Sequence, residues 1–196
     1  MQVIHRSDLP GLIALIFFIC FLVPVANADV SGKIPMCTAC HGQDGVSQLP
    51  NVPTIAGFST FVIEEYMFEY RDEVRPCRGS MCAIAKQLSE DDIVELAEYF
   101  SAREFVAAKQ DFDATKAAEG TKIHAKYCVK CHSAGGSDAI DDASILSGQR
   151  APYLEQVFAD YAAGERGMLE DKMKEKIDAL DADSISALVH YYASMQ

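Results

Sequence analysis

The chain has 196 residues, with 17 Lys and Arg against 29 Asp and Glu, a formal net charge of −12 at pH 7. That balance argues against nucleic acid and against anionic membrane surfaces as partners, and favours a protein partner with a basic patch. The seven cysteines have to be read by compartment, because unpaired thiols persist in a reducing cytosol and not outside it.

Residues 1–28 read as a cleaved signal peptide. Arg6 precedes an almost unbroken apolar run from Leu12 to Val25, and Ala26-Asn27-Ala28 offers small residues where a signal peptidase cuts. The run falls short of the ~18 residues a membrane span needs. The expectation is export to the periplasm, with no membrane span after cleavage. Cys20 leaves with the peptide, and because Arg6 and Asp8 leave together the net charge stays at −12. The remaining cysteines form three pairs: Cys37/Cys40, Cys77/Cys82 and Cys128/Cys131.

The first pair stands in "CTACHG", residues 37–42, with His41 directly behind it. Cys-x-x-Cys-His is the covalent attachment pattern of c-type haem. Two thiols about a helical turn apart reach the vinyl groups on one haem edge, and the adjacent histidine turns its imidazole to the iron. A thioredoxin-like redox pair and a four-cysteine zinc site joining both such motifs are the rivals. Neither explains a histidine in the same place twice. Downstream, "NVPTIAG" puts Pro53 where its carbonyl can hold the far nitrogen of the His41 ring.

Ile63, Tyr66, Met67 and Tyr70 recur at helical spacing. Then comes "RPCRGSMCAIAKQLSEDD", residues 75–92, which fences Met81 between Cys77 and Cys82. An iron held by His41 needs a sixth ligand, and a thioether raises reduction potential and favours electron transfer. Met81 is expected to be that ligand, with Cys77 and Cys82 as a disulfide closing a small loop over it. A copper or other metal site built from Cys77, Cys82 and Met81 is the alternative. Ser89 followed by Glu90, Asp91 and Asp92 reads as a helix start, feeding Ile93, Leu96, Ala97 and Phe100 along one face.

After the join at residues 101–113 the pattern repeats. Cys37 recurs as Cys128, 91 positions on, and Tyr70 as Tyr161 at the same offset; from Met81 onward the offset is 92, carrying Met81 onto Met173 and Ser89 onto Asp181. The second attachment motif is "CVKCHS", with Cys128, Cys131 and His132. Ser144 stands where the first half has Pro53, so this loop is expected to be less rigid. Leu154, Val157, Phe158 and Tyr161 make the second middle helix, and Asp181 starts a helix with Ile185, Leu188, Val189 and Tyr192 inside. Met173 is preferred over Met168 as the second methionine ligand because only Met173 keeps the register. His124 and His190 read as packing or solvated histidines, and Tyr191 and Tyr192 are expected near the domain interface. No long alternating stretch asks for a sheet.

In "FDATKAAEGTKIHAKYCVKCHSAGG" (112–136) and "GERGMLEDKMKEKIDAL" (164–180) the sequence resembles the dihaem cytochrome subunit of flavocytochrome c sulfide dehydrogenase. More distantly it is similar to the soluble dihaem class I carrier cytochromes. The resemblance implies an all-α fold of two tandem class I cytochrome c domains, 29–105 and 106–196, each wrapped around one covalently bound haem c. It implies His/Met axial ligation: His41 and Met81 on one iron, His132 and Met173 on the other. It further implies that the chain is not an enzyme alone but docks on a flavoprotein subunit that carries FAD and oxidises sulfide. Electrons would leave to a small periplasmic acceptor such as a cytochrome c. A free-standing dihaem carrier is the alternative. An enzyme reading, as a peroxidase or thiosulfate-oxidising cytochrome, would need an open sixth position on iron, against which two placed methionines argue.

Overall fold

The computed structural model describes residues 30–140, 142–167 and 171–196. The expected signal peptide and Met168 lie outside them. Among the described residues the first half contributes the α-helices α1 (Ile34–His41), α2 (Thr60–Arg71), α3 (Met81–Ala85) and α4 (Glu90–Ser101). The second contributes α5 (Ala114–Tyr127), α6 (Ala151–Ala162), α7 (Asp171–Asp178) and α8 (Ala182–Ser194). Among the described residues there is no strand, only an isolated bridge between Ile140 and Ala143.

Helix starts follow the local chemistry of the sequence. Ser89 caps α4 by accepting from Asp92 N–H at 3.2 Å, while the Asp92 carboxylate accepts from Ser89 N–H at 2.8 Å, a reciprocal capping box. Asp181 caps α8 by accepting from Ser184 N–H at 2.8 Å, Ser59 caps α2, and Asp113 caps α5 through Thr115 and Lys116. Each cap satisfies donors that a helix start leaves without partners.

Two cores form on the faces these helices present. In the first, Ile93, Leu96, Ala97 and Phe100 of α4 meet Val62 and Ile63 of α2, with Phe58 and Leu88 beside them. In the second, Leu188, Val189, Tyr191 and Tyr192 of α8 meet Leu154, Phe158 and Tyr161 of α6 and Ile177 of α7. Burial of side chains as large as Phe100 and Leu154 contributes about 1.5–3 kcal/mol each. Ile145, from the second half, packs into the first core, so the halves share apolar surface.

The halves are less alike than their offset suggests. In the first, "CTACH" lies on α1 itself; in the second, α5 runs for 14 residues and ends at Tyr127, leaving Cys128 to His132 in the turn beyond it. α5 crosses α8 closely because position 120 is glycine: a Cβ there would stand 2.1 Å from the Ala187 carbonyl oxygen. Tyr191 and Tyr192 pack against α5, with ring centroids 5.2 and 5.7 Å from the His124 ring. The Tyr192 carbonyl also accepts from Gly148 N–H at 2.9 Å, next to Gln149, which bonds the Thr54 backbone of the first half.

Asp92 ties this fold to pH. Its carboxyl is pulled down to about 2 by its bond with Lys33 and by the Ser89 backbone and hydroxyl, so it stays ionised far into acid and joins the start of α1 to α4. A carboxylate whose folded pKa is depressed contributes stability that is present above its ordinary range and lost as pH falls through the folded value. Asp92→Ala should cost about 1 kcal/mol near neutral pH. The gap to the parent protein should close between about pH 4 and pH 2, measured by denaturant unfolding across that range.

Candidate functional site

The first station is built by α1 and the loop behind it. Cys37 and Cys40 are free thiols, half-buried and exposed respectively, and Cys37 packs against the first core beside Tyr66 and Met67. His41 closes the helix and is 7% exposed. The chain then reverses at Gly42, whose φ of +77° suits glycine and where a Cβ would lie 2.1 Å from the Val46 carbonyl oxygen. That turn brings Pro53 back over the ring. His41 Nδ1 lies 2.9 Å from the Pro53 carbonyl oxygen, so Nδ1–H donates and the lone pair is left on Nε2. Burial pushes the His41 pKa down, and the Pro53 bond offsets only part of this. The result is a neutral, oriented imidazole with one nitrogen ready to bind a metal.

The second station uses the end of α5. Cys128 is half-buried and Cys131 exposed, both free thiols, and Cys128 packs on the second core, as Met173 does from α7. His132 is held neutral by burial, with the neighbouring His124 pushing the same way and the Ser144 backbone opposing. Yet its Nδ1 is buried and makes no hydrogen bond. The Ser144 backbone lies close enough to act on the His132 ring but makes no bond of ordinary geometry to Nδ1, so His132 is held less firmly than His41.

Met81 is the first residue of α3 and half-buried. Cys77 and Cys82 are joined by a disulfide, their Cα atoms 5.3 Å apart, which closes the loop around Met81. Arg78, inside this loop, pairs with Asp160 of α6, so the second half holds the loop from outside. Among the described residues no cluster of His, Cys, Asp and Glu suited to a metal ion occurs, and the copper reading of this loop loses its thiol ligands to the disulfide.

Of the other histidines, His124 is 3% exposed and its Nδ1 is 3.0 Å from the Tyr192 hydroxyl. His190 Nδ1 accepts from Asp113 N–H at 3.1 Å, which fastens the linker to α8.

One group escaped the sequence reading. Arg75 and Arg166 are 3% and 6% exposed, and both face the Tyr66 ring, their guanidinium carbons 3.6 and 5.1 Å from its centroid. Arg75 pairs with Glu69 at 2.5 Å; Arg166 lies over Tyr161 at 4.9 Å, and its Nε is buried without a partner. Burial alone would raise the Tyr66 phenol, but Arg166 and Arg75 outweigh it and bring its pKa down. A signal was present, since Arg75 and Arg166 stand 91 residues apart at equivalent places after the middle helices. Two buried guanidiniums with a single carboxylate between them call for a further anion.

No protein-family model matches the sequence. Cytochrome c4 of Pseudomonas aeruginosa is 30% identical over 172 residues, covering 81% of this chain and 83% of that protein. The chain belongs to the cytochrome c4 family. Among solved structures, reduced recombinant cytochrome c4 from Pseudomonas stutzeri superposes with a TM-score of 0.73 at 25% identity, over 85% of this chain and 97% of that one. The thiosulfate dehydrogenase TsdBA of Marichromatium purpuratum superposes with a TM-score of 0.70 at 25% identity, over 82% of this chain and 36% of that one.

The fold is that of the dihaem cytochromes c4, two tandem class I cytochrome c domains, and the cofactors of the family are two covalently bound haem c groups. This chain's residues fit them. Each half offers two free thiols just ahead of a histidine that its surroundings keep neutral, and the join offers Arg166 with a donor that a haem carboxylate would satisfy.

The bracket around Met81 carries its own test. Peptide mapping without reduction should show Cys77 linked to Cys82, and replacing both by serine should lower stability by about 2 kcal/mol, the chain-entropy value for so short a loop, read by thermal melting.

Proposed function

We propose that the chain is a periplasmic dihaem electron-transfer protein, with its domains meeting near residue 105. In this reading Cys37 and Cys40 hold one haem c and Cys128 and Cys131 the other. His41 and His132 supply one axial ligand to each iron, and Met81 and Met173 supply the second. When bound, each haem supplies one-electron Fe(III)/Fe(II) chemistry. The observation that carries the reading is the His41–Pro53 bond, because it fixes the tautomer that leaves Nε2 free for iron. The protein's own part is to close both irons to substrate, keep the ligand rings dry and neutral, and balance haem carboxylates with Arg75 and Arg166.

The working partner in this reading is a flavoprotein subunit that carries FAD and oxidises sulfide, and electrons leave to a small periplasmic cytochrome. Support comes from the sequence at 112–136 and 164–180, which resembles the cytochrome subunit of flavocytochrome c, and from the net charge of −12, which suits a basic docking face. Among the described residues no helix is long and apolar enough to cross a membrane. The second reading is a free carrier between membrane complexes, and the relatives named cytochrome c4 favour it.

Intact mass after acid–acetone extraction should retain both haems. The near-infrared band of methionine-ligated ferric haem should fall by half in Met81→Ala and again by half of the original in Met173→Ala, and stay whole in Met168→Ala. Loss of the band in Met168→Ala would move the second ligand there.

The isolated chain should be reducible but should not turn over sulfide with an acceptor cytochrome. Adding the flavoprotein should restore turnover, at a rate that falls as salt rises. Sustained turnover without flavin would support an enzyme reading, and a chain that is monomeric and partnerless in native extracts would support the free carrier.

A further inference from the structure

We infer that Gln149 is a positioning residue for His41, acting from the second half of the chain on a ring it does not touch. Gln149 is 1% exposed and sits between Gly148 and Arg150, just ahead of α6. Its Oε1 accepts from Thr54 N–H at 3.1 Å, and its Nε2 donates to the Thr54 carbonyl at 2.6 Å. Thr54 N–H belongs to the same peptide unit as the Pro53 carbonyl. That carbonyl is the group that accepts from His41 Nδ1–H at 2.9 Å.

A single planar unit is therefore held at both ends. Gln149 fixes its N–H and His41 reads its oxygen. Peptide planarity means the oxygen cannot swing without moving the N–H. An acceptor on the N–H also polarises the amide and strengthens the bond its oxygen accepts. The grip extends along the loop. Thr54 Oγ1 accepts from Ser47 N–H at 3.2 Å, and Arg150 donates twice to the Ser47 carbonyl, at 2.7 and 3.1 Å. Gln149 is anchored in turn, since its carbonyl accepts from Gln110 Nε2 at 2.7 Å and Gly148 N–H donates to the Tyr192 carbonyl at 2.9 Å.

The arrangement runs one way. At the 91-residue offset Gln149 falls opposite Phe58, whose side chain can make neither bond to the backbone of Ile145, the counterpart of Thr54. His132, correspondingly, has a buried Nδ1 with no partner. Gln149 thus gives the first station a stronger ring bond than the second has. A stronger Nδ1–H bond makes the imidazole a better donor and favours ferric over ferrous iron.

The inference rests on His41 as an iron ligand, and the test separates the two. In the dihaem protein, the paramagnetically shifted His41 ring proton is followed by NMR, and both reduction potentials are measured by spectroelectrochemistry. Q149M should speed exchange of that proton about tenfold, as expected for one lost hydrogen bond, and raise the potential of the first haem while leaving the second unmoved. Q149E, measured at low pH where the buried carboxyl is protonated, keeps both an acceptor for Thr54 N–H and a donor for the Thr54 carbonyl and should exchange as slowly as the parent protein. Q110M, which loosens the loop without touching the Pro53–Thr54 peptide, should lower the melting temperature and leave the His41 proton alone. Should Q149M lose stability with exchange and potential unchanged, or shift both haems equally, Gln149 is only a structural bridge and the inference fails. Fast exchange in folded, protonated Q149E would likewise overturn it. A parent spectrum with no shifted His41 resonance would remove the ligand assignment, and this inference with it.

Discussion

The hydrogen bond from His41 to the Pro53 carbonyl is the contact around which the first half is organised. An imidazole at the end of a short helix has rotational freedom and two tautomers, and a part-buried carbonyl 2.9 Å from Nδ1 removes both. To deliver that carbonyl the chain must reverse directly after the histidine, which is why Gly42 takes a conformation closed to other residues. It must also return within a dozen residues, with Thr54 and Ser47 buried to stiffen the loop. Proline at position 53 cannot donate and has a fixed φ, so it offers an acceptor on a stiff frame.

Duplication supplied two such stations, and the chain has since made them unequal. The first has a proline carbonyl on its histidine and a disulfide around its methionine loop; the second has a serine, an unsatisfied ring nitrogen and a plain α7. A bond to the far nitrogen of a metal-bound histidine tunes the metal as much as it orients the ring. In the proposed function, with His41 and His132 on iron, the asymmetry would give two similar sites different electronic character. The first station's extra rigidity is supplied largely from the second half, through Gln149 and Arg150 on one side and Asp160 on the other.

Arg75 and Arg166 belong to the same logic of shared structure. Two cations brought together away from water repel, and among the described residues Glu69 is the carboxylate paired with them, through Arg75. Such a pair is tolerable only when an anion completes the site, and the family's cofactors carry carboxylates. The tyrosine faces under both guanidiniums add a cation–π contact that keeps the arginines in place.

Sequence alone determined the all-helical character, the positions of the caps at Ser89 and Asp181, the tandem repeat, the two Cys-x-x-Cys-His motifs and the proline acceptor for His41, because each of these depends on residues close in the chain or on a spacing that survives duplication. It also singled out Met81 and the two cysteines that fence it. Tertiary structure alone decided which histidine ring is held more firmly, since Ser144 offers a carbonyl as Pro53 does and only the path of the loop settles how well it reaches. It placed Tyr191 and Tyr192 on the α5 crossing, which depends on Gly120 meeting Ala187 across 67 residues of chain. It brought Gln149 to Thr54 and Arg166 to Tyr66 as well. Hydrogen bonds and cation–π contacts act over a few ångströms in space and leave no periodicity in the sequence, so contacts between residues some 95 positions apart become visible only once the chain is folded.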